Sequence, residues 1–599
     1  MVESNDMRTV RILTLSAALA STAAGTGSTV AVPQPQDPRA WIAASNRHAQ
    51  VLLDVLARVA PESAGQFGIT GLDEAVTNLT AEAGERAREA TAAAVATLQT
   101  RRKTEQDPLV RQDLDILIRS AQTNLRGGRL SQDRLLPYAD VTALVFGGLR
   151  SLLDAQVAPE RRPSAVVRIR KYAGLVEGYE PITAQAMRLT REKQGNAQLL
   201  PPARSQVERD LVNDPILLQG LEKLFDQYKV EGWREPFATL KQQLTEYQQF
   251  VRTEILPKAR TDFRLPPDLY AFALEQVGVG LQPEPLVKMA RQAFIEIQGE
   301  MQRLAPAVAK ARNMQTTNYR DVIRALKKEQ LVGDAILPHY LKRLAEIEAI
   351  IRRENLVTLP GREARIRIAT EAEAAQSPAP NMRPPRLLGN TGEMGEFILP
   401  LNIPAAAGSK TATLPYDDFT FQAASWTLTA HEARPGHEMQ FAKVIEAGVS
   451  TARALFAFNS TNVEGWGLYA EWMMLPYMSP EGQLISLQFR LLRAARAFLD
   501  PELHMGRVTP DEARRVLRED VVLSDAMTEQ EVERYMFRAP GQATSYFYGY
   551  TQLRELRPEV ERAMGSRFSA RDFHDFILAQ GLLPPELLKE SVLKQFAGR

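Results

Sequence analysis

From Pro38 onward, apolar residues recur at spacings of three and four with charged residues between them, the pattern of helices that bury one face. In 339–353, Leu341, Leu344, Ile347 and Ile351 form such a stripe, with Lys342, Arg343, Glu346 and Arg353 between them. Residues 80–102 begin with Thr80 at a capping position and Glu82 and Glu85 in the early turns, then run through alanines to Arg101 and Arg102. The charges suit the two ends of a helix dipole, so the stretch predicts a surface helix. Long helical patterns with short Pro or Gly breaks continue through 106–335 and 481–599, without a repeat of fixed period. The expected fold class is mainly α.

Residues 376–416 interrupt that rhythm with prolines 378, 380, 384, 385, 400, 404 and 415. The apolar run Phe397, Ile398, Leu399, then Leu401 to Ile403, predicts a strand, and Pro400 places it at an edge, because proline cannot donate to a central ladder. An edge strand ahead of a catalytic helix could pair with an extended peptide, which makes 396–403, including Asn402, a candidate substrate-binding edge. A purely structural hairpin is the alternative.

Composition narrows the chemistry. The chain has 599 residues, with 44% apolar, 24% charged and a formal net charge of +1. Mixed signs near neutrality lack the electrostatic footprint of a nucleic-acid binder. The absence of cysteine excludes disulfides, thiolate zinc sites, iron–sulfur clusters and a cysteine nucleophile, so any metal must be held by His and carboxylates. Residues 1–36 read as a signal peptide and linker: Arg8 and Arg11 precede a small, apolar stretch over 12–24, and Met7 is a plausible start. This predicts a periplasmic or secreted protein without a cysteine-linked lipid anchor; a disordered Ala/Ser/Thr leader on a cytoplasmic protein is the alternative. No later run approaches the roughly 18 apolar residues of a membrane span.

Of six histidines, at 48, 339, 431, 437, 504 and 574, two lie in the string His431-Glu-Ala-Arg-Pro-Gly-His437. Two imidazoles and a carboxylate can hold Zn²⁺ with an open position, and a further carboxylate can take a proton from water; Glu432 has the place of that base. On an unbroken helix a spacing of six leaves the rings about 120° apart, too far to share an ion. Pro435 and Gly436 predict a break that swings His437 back toward His431. Downstream, Glu464 and Glu471 lie two turns apart on one predicted helix face, so that one can bind metal while the other orients a histidine. Gly465 and Gly467 cost about 1 kcal/mol each in a helix, which suggests that another backbone comes close.

These strings, His431-Glu-x-x-Pro-Gly-His437-x-x-Gln440, Glu464-Gly-Trp-Gly-Leu-Tyr-Ala-Glu471, Pro540-Gly-Gln-Ala-x-x-Tyr546 with Leu556-Arg557, and Phe573-His-Asp-Phe, together resemble the bacterial family called domain of unknown function 885 over most of residues 38–599. The resemblance implies a large helical zincin of the gluzincin type, similar in architecture to angiotensin-converting enzyme, neurolysin and thermostable carboxypeptidases. It implies a deep cleft; with the small edge β-strand element read above lying near the metal helix, the expected layout is an N-terminal helical region (37–375) covering a catalytic region (376–599) of the same large domain. It makes His431, His437 and Glu464 the ligands of one Zn²⁺, Glu432 the general base, and leaves Glu471 to orient a histidine. Many members carry a second histidine where this chain has Glu438.

Short peptides are the expected substrates, with no nucleic-acid partner; the oligomeric state is open. Tyr546 and His504 are candidate donors to the oxyanion, since their hydrogen bonds would stabilise charge that develops only in the transition state. Gln542, in the Pro-Gly-Gln string, and Arg557 join Asn402 as candidate substrate-binding residues, with Arg554 and Arg557 able to grip a carboxylate. A metal-dependent amidase or deacylase on a peptide-like molecule, and an inactive helical peptide-binding scaffold, are the competing readings.

Overall fold

The computed structural model describes residues 39–405 and 413–598, so the predicted signal peptide lies outside the described residues. The chain is mainly helical with a few short strands. The capped helix forms as Ala81–Thr104, and the Thr80 side chain accepts from the Ala83 N–H, satisfying one of the orphan amides of the first turn. The amphipathic helix forms as Ile336–Arg353. Its buried stripe is Tyr340, Leu344, Ile347, Ile350 and Ile351, one position round from the expected one, and Leu341 faces solvent.

The Pro480–His504 helix organises the site. Its segment Leu491-Leu492-Arg493-Ala494-Ala495-Arg496-Ala497-Phe498-Leu499 is buried on every face, as an all-round apolar helix must be, with two arginines enclosed among the apolar residues. The Pro283–Ala311 helix packs along it, and the largest core joins both to residues from Ala203 to Phe547. Among the described residues no helix is long and apolar enough to cross a membrane.

The strands correct the proposed binding edge. Strands β1 (Arg365–Ile368), β2 (Asn381–Arg383) and β3 (Glu396–Leu399) form one sheet in the order β1-β3-β2, with β3 parallel to β1 and antiparallel to β2. Residues 396–399 are therefore central and have no free edge for a peptide. Pro400 ends the strand instead of sitting within it, so its missing N–H is no sign of an edge. Strand β4 (Asn402–Pro404) pairs separately with β5 (Thr413–Pro415), and Asn402 is exposed at its start.

The Ser460–Met474 helix crosses the Ser545–Met564 helix at backbone contact. A Cβ on Gly465 would lie 2.7 Å from Gly549 Cα, and one on Gly549 would lie 2.0 Å from the Thr461 carbonyl oxygen. Gly549→Ala is expected to cost about 1–3 kcal/mol by forcing the helices apart, although alanine's helix propensity alone favours it by about 1 kcal/mol. A thermal midpoint that stays level or rises would show that the crossing can relax.

Candidate metal centre

The first helix of the site, Ala424–Glu432, ends directly after His431-Glu432, and the next, His437–Ala447, begins at the second histidine. Between them the chain turns so tightly that a Cβ on Gly436 would fall 1.9 Å from the His431 carbonyl oxygen. Only glycine fits there. Trp466 Nε1 donates to the Pro435 carbonyl (2.9 Å), tying the turn to the Ser460–Met474 helix. The expected break is thus present, and it brings the two imidazole centroids to 4.6 Å with the rings at 80°.

The ring nitrogens meet on one carboxylate. His437 Nε2 lies 3.2 Å and His431 Nε2 3.4 Å from Glu464 Oε2. Two ligand atoms each about 2.0–2.1 Å from a tetrahedral ion are about 3.3 Å apart, so these separations match those around a zinc ion. On its other side His431 Nδ1 lies 2.8 Å from Glu471 Oε1. Thr427 Oγ1 donates to Glu471 Oε2 (2.6 Å) and Arg493 Nη2 to Oε1 (3.1 Å). With its Nδ1–H given to Glu471, His431 turns a lone pair toward the Glu464 oxygen, an arrangement of two acceptors that a cation between them satisfies. The donor set therefore fits a divalent ion. The buried Nδ1 of His437 has no hydrogen-bond partner, unlike that of His431.

Charge balance holds the carboxylates ionised. Burial pushes the pKa of Glu471 up, but Arg493 and His431 outweigh it and hold it below the ordinary value. Burial likewise opposes ionisation of Glu464, and the histidines bring its pKa well below the usual range. Glu432 is buried, with Oε1 4.0 Å from His431 Nε2, and ligand atoms of His431, Glu432 and His437 lie within 4.8 Å of one another.

His431 and Glu432 open on a narrow pocket walled by Phe419, Leu428, Phe489 and Met527 and by the polar groups Arg493, Arg496 and Tyr546. The Tyr546 ring lies nearly parallel to that of His431, with centroids 6.2 Å apart. Its hydroxyl accepts from Arg534 Nη2 (2.9 Å), which leaves its own proton to be donated. Burial, foremost, raises its pKa, so the phenol stays protonated.

Four sequence candidates do not join this group. His504 closes the Pro480–His504 helix eleven residues beyond Arg493, about 16 Å along its axis. Both its ring nitrogens serve backbone: Nδ1 accepts from the Leu265 N–H (3.0 Å) and Nε2 meets the Tyr535 carbonyl (2.9 Å). Burial brings its pKa down to about 4, and it acts as a neutral structural histidine. Gln542 is consumed by support: its Oε1 accepts from Arg534 Nε (2.9 Å) and its Nε2 donates to Ser460 Oγ (2.8 Å). Arg557 pairs with Glu561 (2.7 Å) and the Tyr469 hydroxyl (3.2 Å), away from the cavity. Arg554 lies over Trp472.

The residues missed from sequence are Arg493, Arg496, Arg534 and Glu531. Their signal was present: two arginines three apart inside a wholly apolar helix must be buried, and buried guanidiniums need carboxylates. Glu531 answers Arg496 through both its oxygens, at 2.6 and 2.7 Å.

The family described as "Bacterial protein of unknown function (DUF885)" matches residues 61–592. No curated protein matches the chain. Among solved structures, a "putative lipoprotein" from Colwellia psychrerythraea is similar at a TM-score of 0.74 and 18% identity, over 93% of this chain and 100% of that one. A "putative lipoprotein of unknown function" from Shewanella oneidensis is similar at 0.68 and 20% identity, over 92% of this chain and 99% of the other. At these identities the likeness is one of fold.

Proposed function

The chain belongs to the bacterial DUF885 family, and on that premise we propose that it is a gluzincin-type zinc hydrolase that cleaves peptide bonds in short peptides. The observation that carries this reading is the convergence of His431 Nε2 and His437 Nε2 on Glu464 Oε2, with the Glu432 carboxylate beside them on the cavity wall. Zinc held by His431, His437 and Glu464 supplies Lewis acidity to the carbonyl and to water.

The protein's own groups do the rest. Glu432 takes a proton from the attacking water, whose hydroxyl adds to the acyl carbon, and returns the proton to the amine as the C–N bond breaks. Tyr546 donates to the developing oxyanion from a hydroxyl fixed by Arg534. Glu471 holds the His431 ring in one tautomer and one orientation. The lipoprotein descriptions of the two structural neighbours and the leader-like N-terminus support a place outside the cytoplasm.

The test is elemental analysis of protein purified without chelator or metal-affinity resin, followed by hydrolysis assays on unmodified peptides and N-acyl amino acids. About one zinc per chain, lost in a His431→Ala, His437→Ala double variant, together with peptide cleavage, is the expected result. Metal that is sub-stoichiometric and indifferent to the substitutions overturns the reading in favour of a scaffold, and cleavage of N-acyl amino acids alone makes the protein an amidase.

A further inference from the structure

We propose that Arg493 and Arg496 form a subsite for the free C-terminal carboxylate of the substrate, so that the enzyme removes one or two residues from the carboxyl end. This inference rests on the peptidase reading.

Both arginines line the same cavity as Glu432 and are at least nine-tenths buried, at 4% and 2% exposure. Their carboxylate partners do not exhaust them. Arg496 uses Nε and Nη2 on Glu531, and its Nη1 has no partner; Arg493 uses Nη2 on Glu471 and Nη1 on the Phe489 carbonyl, and its Nε has none. Both guanidiniums also lie over the Tyr546 ring, Arg493 at 5.8 Å and Arg496 at 4.4 Å from its centroid, but a ring face replaces a hydrogen-bond acceptor only in part, and a ligand anion would supply the acceptor.

The charges leave room for one. Around the cavity and metal site stand Glu432, Glu464, Glu471 and Glu531 against Arg493, Arg496 and Arg534. A divalent ion turns that single excess negative charge into a single positive one, which a carboxylate neutralises. Distance then limits the substrate. Arg493 meets the carboxylate oxygen that also meets His431 Nδ1, so its Nη2 is at most about 6 Å from that nitrogen and about 8 Å from Nε2 on the metal-facing side of the ring, the reach of about two residues. Phe419, Leu428, Phe489 and Met527 supply an apolar wall for the terminal side chain.

The experiment is calorimetric titration of the zinc-loaded, full-length Glu432→Gln protein with N-acetyl-Ala-Phe and with its C-terminal amide. The free acid is expected to bind at least about tenfold tighter, the worth of a charge-assisted hydrogen bond. Arg496→Lys, which keeps a cation beside Glu531, and separately Arg493→Lys, which keeps one beside Glu471, should each shrink that preference. Equal binding of acid and amide, no binding of either, or an acid preference that survives both substitutions because the carboxylate sits on the metal, overturns the subsite. Wild-type turnover separates the two claims: cleavage of amidated peptides with the titration negative retires only the subsite, whereas no peptide cleavage at all retires the peptidase.

Discussion

Glu432→Gln is expected to lower kcat for peptide hydrolysis about 10³-fold while metal content stays at one ion per chain and KM changes little. Glutamine keeps the size of the side chain in a buried position but cannot accept a proton from water. The expected retention of metal follows from geometry: Glu432 Oε1 is 4.0 Å from His431 Nε2, while Glu464 Oε2 approaches both imidazoles more closely. Loss of the ion in this variant would make Glu432 a ligand, a role its position within 4.8 Å of both histidine nitrogens allows. Activity within tenfold of wild type would remove it from the chemistry altogether.

The second large effect is expected at a residue without a side chain. A Cβ on Gly467 would sit 2.6 Å from His431 Cε1 and 2.9 Å from both ring nitrogens, so Gly467→Ala must displace the imidazole. The ring cannot yield freely, because Glu471 holds Nδ1 while Nε2 faces Glu464. A shift of about 1 Å should cost about 10²-fold in kcat and about 10–100-fold in metal affinity, read by competition with a chelator. Alanine favours the helix by about 1 kcal/mol, so stability is not expected to fall in parallel. Unchanged metal affinity would mean that the site repacks around the methyl group.

Gly467 also separates two kinds of legibility. The sequence marked both glycines of Glu464-Gly-Trp-Gly as signs of close approach. At Gly465 the neighbour is backbone, that of Gly549, as expected; at Gly467 it is the His431 ring. Spacing along a helix reports that room is needed, but the occupant comes from a distant part of the chain. The edge reading failed at 396–399 for a related reason. Proline's missing donor was read correctly, but whether Pro400 lay within the strand or beyond it depended on where pairing with β1 and β2 stopped.

By itself the sequence determined the helical class, the two histidines with an adjacent carboxylate, the break between them, and the pair Glu464 and Glu471 on one helix face, because each follows from local periodicity or from the dihedral limits of Pro and Gly. The tertiary structure alone decided that His504 and Gln542 serve structure and that Arg493 and Arg496 face the cavity, and it set Glu464 against both rings and Glu471 behind one of them, a choice that helix spacing left open and only the family resemblance implied. Those roles depend on which buried donors and acceptors find each other across elements far apart in sequence, and the cost of leaving any of them unpaired selects a set that helix spacing cannot reveal.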